Sequence, residues 1–168
     1  VRAGRGDREA FAALYRRHVS MVHGVVLARL GRAGRSEAED VTQEVFVVAW
    51  RRLGELRDGA AVGAWLVSIA RSRATDWARA RGRRSARELA RGGAEGLEVS
   101  DRDPRTDEVL AMVWALPEKY REVLVLRFVV GMTGGQIGMC LRMSPGAVRV
   151  NLHRGTGRLR AAMAEGAR

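Results

Sequence analysis

Cysteine is almost absent from this 168-residue chain: Cys140 stands alone, which excludes an intramolecular disulfide framework and a cysteine-based metal site. It falls on the apolar side of a helical pattern and reads as a plain core thiol. Lysine is just as scarce. Lys119 is the only one, so arginine carries nearly all the base behind a net charge of +11. Aromatic residues make up 5%, against 46% apolar residues in all, so the cores are built mainly from Ala, Val and Leu. No stretch approaches the ~18 apolar residues that a membrane-spanning helix needs, and no membrane insertion is expected. Val1-Arg2-Ala3-Gly4-Arg5 lacks the apolar core of a signal peptide, and a reducing cytoplasm is the expected setting. Runs of alternating strand residues are missing too. His18 and His23 are five apart, which is not metal-ligand spacing. No Walker-type loop, paired Cys/His cluster or Ser–His–Asp arrangement appears, so neither catalysis nor a metal or cofactor is expected.

What is present is helical periodicity nearly throughout. A first helix is expected over about Arg8–Leu30, with Phe11, Leu14, Tyr15, His18, Val22, Val25 and Val26 on its buried side, ending at Gly31. Ser36-Glu37-Ala38-Glu39 has the form of a capping box opening a second helix, whose Val41, Val45, Val48 and Leu53 face a core. Asp40, Gln43 and Glu44 fall on its polar side. A polar loop, Glu55–Gly59, leads to a third helix over about Val62–Arg81, with Leu66, Ile69 and Ala70 inward and Arg71, Arg73, Arg79 and Arg81 elsewhere. Trp65 and Trp77 are interleaved with those arginines. Rings and guanidinium groups together suit a single strand, whose bases stack while its phosphates meet arginine; core packing of both rings is the competing reading.

From Gly82 to Asp103 the periodicity dissolves and acid rises. Net charge is +6 over residues 1–81, −1 over 82–109 and +6 over 110–168. Two basic helical domains and a near-neutral flexible linker are the simplest organisation. The expected division is 1–84, 85–105 and 106–168, an all-α fold. Thr106 is a good N-cap for a helix reaching Ala115, and another helix follows from Pro117 to about Val130, with Val123, Leu124, Leu126 and Phe128 as its core.

The last third carries the sharpest signal. Met132–Leu141 reads as a short helix, Arg142-Met143 as a break, and Ser144-Pro145 as the capped start of another helix. That last helix bears Arg149, Asn151, His153, Arg154, Arg158 and Arg160. These are the parts of a helix-turn-helix that places side chains in a DNA major groove. Arginine excess suits phosphate and guanine edges, although a GC-rich genome would produce it as well.

With these parts in order, the chain resembles a bacterial sigma factor of the extracytoplasmic-function group, over nearly its whole length. The resemblance rests on Asp40-Val41-Thr42-Gln43-Glu44-Val45-Phe46-Val47-Val48-Ala49-Trp50 and Trp65-Leu66-Val67-Ser68-Ile69-Ala70-Arg71 in the first domain. In the second it rests on Leu116-Pro117 through Arg127 and on Ser144 through Arg160. It implies that Asp40, Gln43, Glu44 and Phe46 meet core RNA polymerase. It also implies that Leu56, Arg57, Asp58, Trp65, Arg71, Ser72, Arg73, Trp77 and Arg79 read and open the promoter's minus-ten element, capturing a flipped base of the melted non-template strand. The helix-turn-helix, through Ser144, Arg149, Asn151, His153, Arg154 and Arg158, then reads double-stranded minus-thirty-five DNA. The resemblance further implies an anti-sigma partner and a linker along the polymerase cleft, where Glu95–Asp103 acts as an RNA mimic or as a plain tether. The free chain is expected to be a monomer.

The chain departs from the family pattern at Ser72, where relatives usually have Asn, and at Arg142, where the tight turn commonly has Gly. Gly134, Gly135 and Gly138 replace better helix formers, and Val150, Asn151 and Thr156 stand where small-polar and basic residues are more usual. A free-standing helix-turn-helix regulator is the alternative function. The Asp40–Trp50 block is the feature it leaves unexplained.

Overall fold

The computed structural model describes residues 8–89 and 111–166. Helix α1 spans Arg8–Leu30, α2 Ala38–Arg52 and α3 Val62–Leu89. Residues 111–115 form the described part of α4, followed by α5 (Glu118–Leu124), α6 (Gly134–Leu141) and α7 (Pro145–Gly166). Among the described residues there is no strand, as the missing alternation foretold. None of these helices is long and apolar enough to cross a membrane. Thr106, Glu95–Asp103 and most of the expected linker lie outside the described residues.

The first three helices pack around Val22, Val25, Val26, Val41, Val45, Leu66, Val67 and Ala70, all essentially buried. Helix α1 is not buried along one stripe. Its first half carries half-buried Phe11 and Leu14 and exposed Tyr15, whereas Met21, Val22, Gly24, Val25, Val26 and Ala28 are buried in near succession. The reason is that α2 and α3 cover one side of that second half and the second domain covers the other. A Cβ at Gly24 would lie 2.6 Å from a Val130 side-chain methyl, so α1 and the segment that follows α5 approach as closely as glycine allows.

The two expected domains pack on one another and share a core. Val123, Leu126, Ile137, Leu141 and Val148 join the cluster built on α1, α2 and α3. Polar contacts ring this seam: Arg71 to Glu122, Arg29 to Glu118 at 2.7 Å, and Arg121 to the Ala28 carbonyl. Burial is the main influence on the Arg121 guanidinium and holds its pKa below the usual value. Cys140 meets the thioether of Met21 at 3.5 Å across the same seam.

Three local expectations are corrected. The capping box at Ser36 does not form, because α2 starts at Ala38 and the Ser36 hydroxyl instead donates to Glu37. Helix α3 continues past Gly82 to Leu89, carried by Arg83, Arg84, Ala86 and other helix formers. Phe128 is 68% exposed instead of core, because α5 runs into a π-turn at Val125–Val129. The Val130 amide bonds the Val125 carbonyl there, and the extra residue in the turn rotates Phe128 and Val129 outward.

The helix-turn-helix is built as read, with one cap unforeseen. Thr133 and Gln136 form a reciprocal capping box at the start of α6. Arg142 then takes a left-handed conformation (φ 55°), costing on the order of 1 kcal/mol at a position that suits glycine. Gly138 has a reason of its own to be small. A Cβ there would sit 2.9 Å from the Met143 carbonyl oxygen, whereas one at Gly135 would meet nothing within 4 Å. Gly138→Ala is thus expected to cost ~1–2 kcal/mol and Gly135→Ala to gain ~0.5–1 kcal/mol. Thermal melts of the two variants check this, and equal shifts would show that the turn yields freely.

Candidate polymerase and nucleic-acid surfaces

Three surfaces emerge from these elements. On α2, the i, i+3, i+4 spacing of Asp40, Gln43 and Glu44 places all three on one exposed side, opposite buried Val41, Val45 and Ala49. Among the described residues, neither carboxylate forms an ion pair. Phe46, expected to belong to this surface, is instead buried at 4%. Its ring packs 4.6 Å from Tyr15 and 6.4 Å from Phe11, and Phe11 in turn meets Trp50 edge-on at 4.8 Å. Phe46 anchors α2 to α1, which keeps the acidic side facing out.

The second surface is the loop before α3 and the exposed side of α3 itself. Leu56 is half-buried, and Arg57 and Asp58 are exposed. Asp58 also caps the short turn Gly59–Ala61 by accepting the Ala60 amide at 2.9 Å, so its carboxylate shapes the loop. Ser72 and Arg79 are exposed, and Arg73 pairs loosely with Asp76 at 3.4 Å. Trp65 and Trp77 are half-buried and packed against the core cluster. The Trp77 ring lies against Gly34, where a Cβ would come within 2.6 Å, and Arg81 sits 5.4 Å from its centroid. Both tryptophans therefore follow the core reading more closely than the stacking one.

Arg71 is the exception on α3, because it faces the second domain. Its Nε and one terminal nitrogen donate to the two Glu122 oxygens at 2.9 and 2.7 Å, a bidentate fork. The Glu122 side chain is 4% exposed and that of Arg71 34%. Hydrogen bonding to this carboxylate is the main cause that raises the Arg71 pKa. Nothing in the sequence singled out Glu122 as a partner fifty-one positions away.

The third surface is α7. Ser144 accepts the Ala147 amide at 3.2 Å and so caps the helix, and Pro145 follows as its first residue. At about 100° per residue, Val148, Leu152, Gly155 and Leu159 form the inward side. Arg149 and His153 lie on one flank of the outward side, and Asn151, Arg154 and Arg158 on the other. Arg149, His153, Arg154 and Arg158 are exposed and Asn151 is half-exposed. Val150, 45% exposed, sits between the flanks. It was not singled out as a contact, yet an apolar group there suits a thymine methyl.

Comparison with known proteins places the chain in a family. The family profile Sigma-70 region 2 matches residues 14–84, and the profile Sigma-70, region 4 matches residues 106–159. The ECF RNA polymerase sigma factor ShbA of Streptomyces griseus is 34% identical over 184 residues, covering 95% of this chain and 91% of that one. The ECF RNA polymerase sigma factor SigD of Mycobacterium tuberculosis is 35% identical over 167 residues, covering 92% and 77%. Among solved structures, CnrH in complex with the cytosolic domain of CnrY matches with TM-score 0.65 and 28% identity, over 98% of this chain and 94% of that one. The sigma factor RpoE of Bartonella quintana, solved with the anti-sigma factor NepR, matches in fold with TM-score 0.70 at 17% identity, over 93% and 98%. The chain belongs to the extracytoplasmic-function RNA polymerase sigma factors.

Proposed function

We propose that this sigma factor divides its work among the three surfaces. Asp40, Gln43 and Glu44 bind core RNA polymerase, the loop Leu56–Asp58 with Ser72, Arg73 and Arg79 engages the melted minus-ten strand, and the outward side of α7 reads minus-thirty-five duplex DNA. The division into residues 1–84, 85–105 and 106–168 follows the same roles, and the cytoplasm is where they are exercised. RNA synthesis belongs to the polymerase; this chain supplies binding and strand separation. The observation that carries the proposal is the bare acidic side of α2 in a protein of net charge +11. A DNA-only regulator has no use for it, whereas a basic helix of a partner protein does.

In the folded chain Arg71 is held by Glu122, so its use on the minus-ten strand requires the two domains to part. Both solved structures compared above hold a partner protein, and the one bound to RpoE, NepR, is an anti-sigma factor. A protein that stabilises the shut arrangement would keep this chain off promoters, and an anti-sigma partner fits that role.

The experiment is size-exclusion chromatography with bacterial core polymerase at moderate salt, followed by transcription from a cognate promoter. The wild-type chain is expected to co-elute. Arg149→Ala combined with Arg154→Ala is expected to co-elute equally while transcription falls at least tenfold, or ~1.4 kcal/mol. Loss of co-elution in that variant would overturn the separation of surfaces.

A further inference from the structure

Tyr120 belongs to none of the three surfaces, yet it organises the back of one of them. It is the third residue of α5 and only 4% exposed, clamped between α5 and α7. Gly155 makes that clamp possible. A Cβ on Gly155 would lie 3.2 Å from the Tyr120 Cβ and 3.1 Å from a Leu124 methyl, so the α7 backbone rests directly on the base of Tyr120.

Cations gather around this ring. The Lys119 ammonium lies 5.0 Å from its centroid and the Arg158 guanidinium carbon 5.4 Å. Burial is the largest single influence on the phenol and pushes its pKa up, but Lys119, Arg154 and Arg158 together bring it below the ordinary value. Lys119, Arg154 and Arg158 are all exposed, and among the described residues none forms an ion pair. The neighbouring Glu118 does not neutralise them, because it is turned to Arg29 at 2.7 Å.

Three cations crowded without a carboxylate repel one another, and the negative face of one ring offsets that only in part. Such a cluster is complementary to a chain of regularly spaced anions. Its place matters as well: it lies where the start of α5 meets the middle of α7, beside the helix that bears Arg149 and Asn151.

We propose that Lys119 and Arg158, which flank the Tyr120 ring, together with Arg154 one turn before Arg158 on α7, form a phosphodiester-binding site for duplex DNA, with Tyr120 as the positioning residue. The site rests on the assignment of α7 as the DNA-reading helix and adds Lys119 and Tyr120 to it. It gives Arg154 and Arg158 to the backbone and leaves base edges to Arg149, Val150 and Asn151. Phosphate contacts fix orientation and carry no sequence information, so the site sets how α7 lies in the groove.

The test is the salt dependence of full-length protein binding to two fluorescent 30-base-pair duplexes, one carrying a cognate minus-thirty-five element and one of unrelated sequence. Each phosphate neutralised contributes about 0.9 to the slope of log affinity against log salt. Lys119→Gln, an exposed change, is expected to lower the slope by about one on both duplexes equally. Tyr120→Leu keeps apolar volume but removes the ring face, and is expected to lower it by about two. Tyr120→Phe restores the ring and is expected to rescue the slope, and a lowered slope in Tyr120→Leu alongside an unchanged circular-dichroism melt assigns the loss to the ring face and not to packing. Unchanged slopes for Lys119→Gln and Tyr120→Leu, while Arg149→Ala still weakens binding, would overturn the phosphate site and leave α7 as the reader. Unchanged binding in all of these variants, Arg149→Ala included, would overturn the assignment of α7 itself.

Discussion

Removing Arg71 is expected to destabilise the folded chain more than removing its partner Glu122. The asymmetry follows from burial: the Glu122 side chain is 4% exposed and that of Arg71 34%. Arg71→Ala strands a nearly buried carboxylate without the two donors that now satisfy it, which is the expensive way to break a buried pair. Full burial of both partners would make that ~3–5 kcal/mol; the part-exposed arginine is already screened, and ~2–4 kcal/mol is the expected loss. Glu122→Ala frees a guanidinium that water can reach, with an expected loss of ~1–2 kcal/mol. In a chain of this size each kcal/mol moves the melting temperature by roughly 2–4 °C, so calorimetry separates the two variants. Their effects on DNA diverge as well. Glu122→Ala is expected to strengthen binding of a minus-ten single strand to the free chain about tenfold, since Arg71 no longer has a competing anion, whereas Arg71→Ala is expected to weaken it. Equal melting temperatures and unchanged strand binding would show that the fork neither holds the seam nor competes with DNA.

Reversing charge on α2 is expected to have the largest functional effect. Asp40→Arg combined with Glu44→Arg places two cations on the side proposed to meet a basic partner, and like-charge contact at an interface costs several kcal/mol. Affinity for core polymerase is expected to fall at least a hundredfold, ~2.8 kcal/mol. The fold is expected to survive, because both side chains are exposed and form no ion pair among the described residues. A normal circular-dichroism melt with no co-elution is the supporting outcome. Undiminished co-elution would reduce the acidic side of α2 to a solvated surface.

What could be read from the sequence was what neighbouring residues decide between themselves. The break at Arg142-Met143, the Ser144-Pro145 helix start and the side of α2 that carries Asp40 and Glu44 all depend on spacings of a few residues. Each is present in the fold. All the misreadings but one share a cause in distance along the chain. Helix α1 could not announce that its second half is covered twice over, because the residue that presses on Gly24 is Val130. Glu122 drew no notice in the sequence, because its partner Arg71 lies fifty-one positions away. Phe128 fits a core position in an α-helical register, and only the π-turn, set by where Val130 must reach, moves it out. The capping box at Ser36 failed locally, where a short 3-10 turn at Arg32–Gly34 brings the chain into α2 and the hydroxyl found Glu37 first. The candidate surfaces were legible as lists of residues. Which of them are free, and which already hold something, was not: Phe46 is buried, Trp77 is packed on Gly34, and Arg71 is engaged.

The contact between Cys140 and Met21 makes the protein its own gauge. The one sulfhydryl in the chain sits half-buried where α6 meets α1, and burial raises its pKa, so it reacts sluggishly with alkylating agents while the seam is shut. Any event that parts the domains exposes it. The rate at which an electrophile labels the native chain therefore measures how often the halves separate, with no engineered probe and no second thiol to confuse the signal.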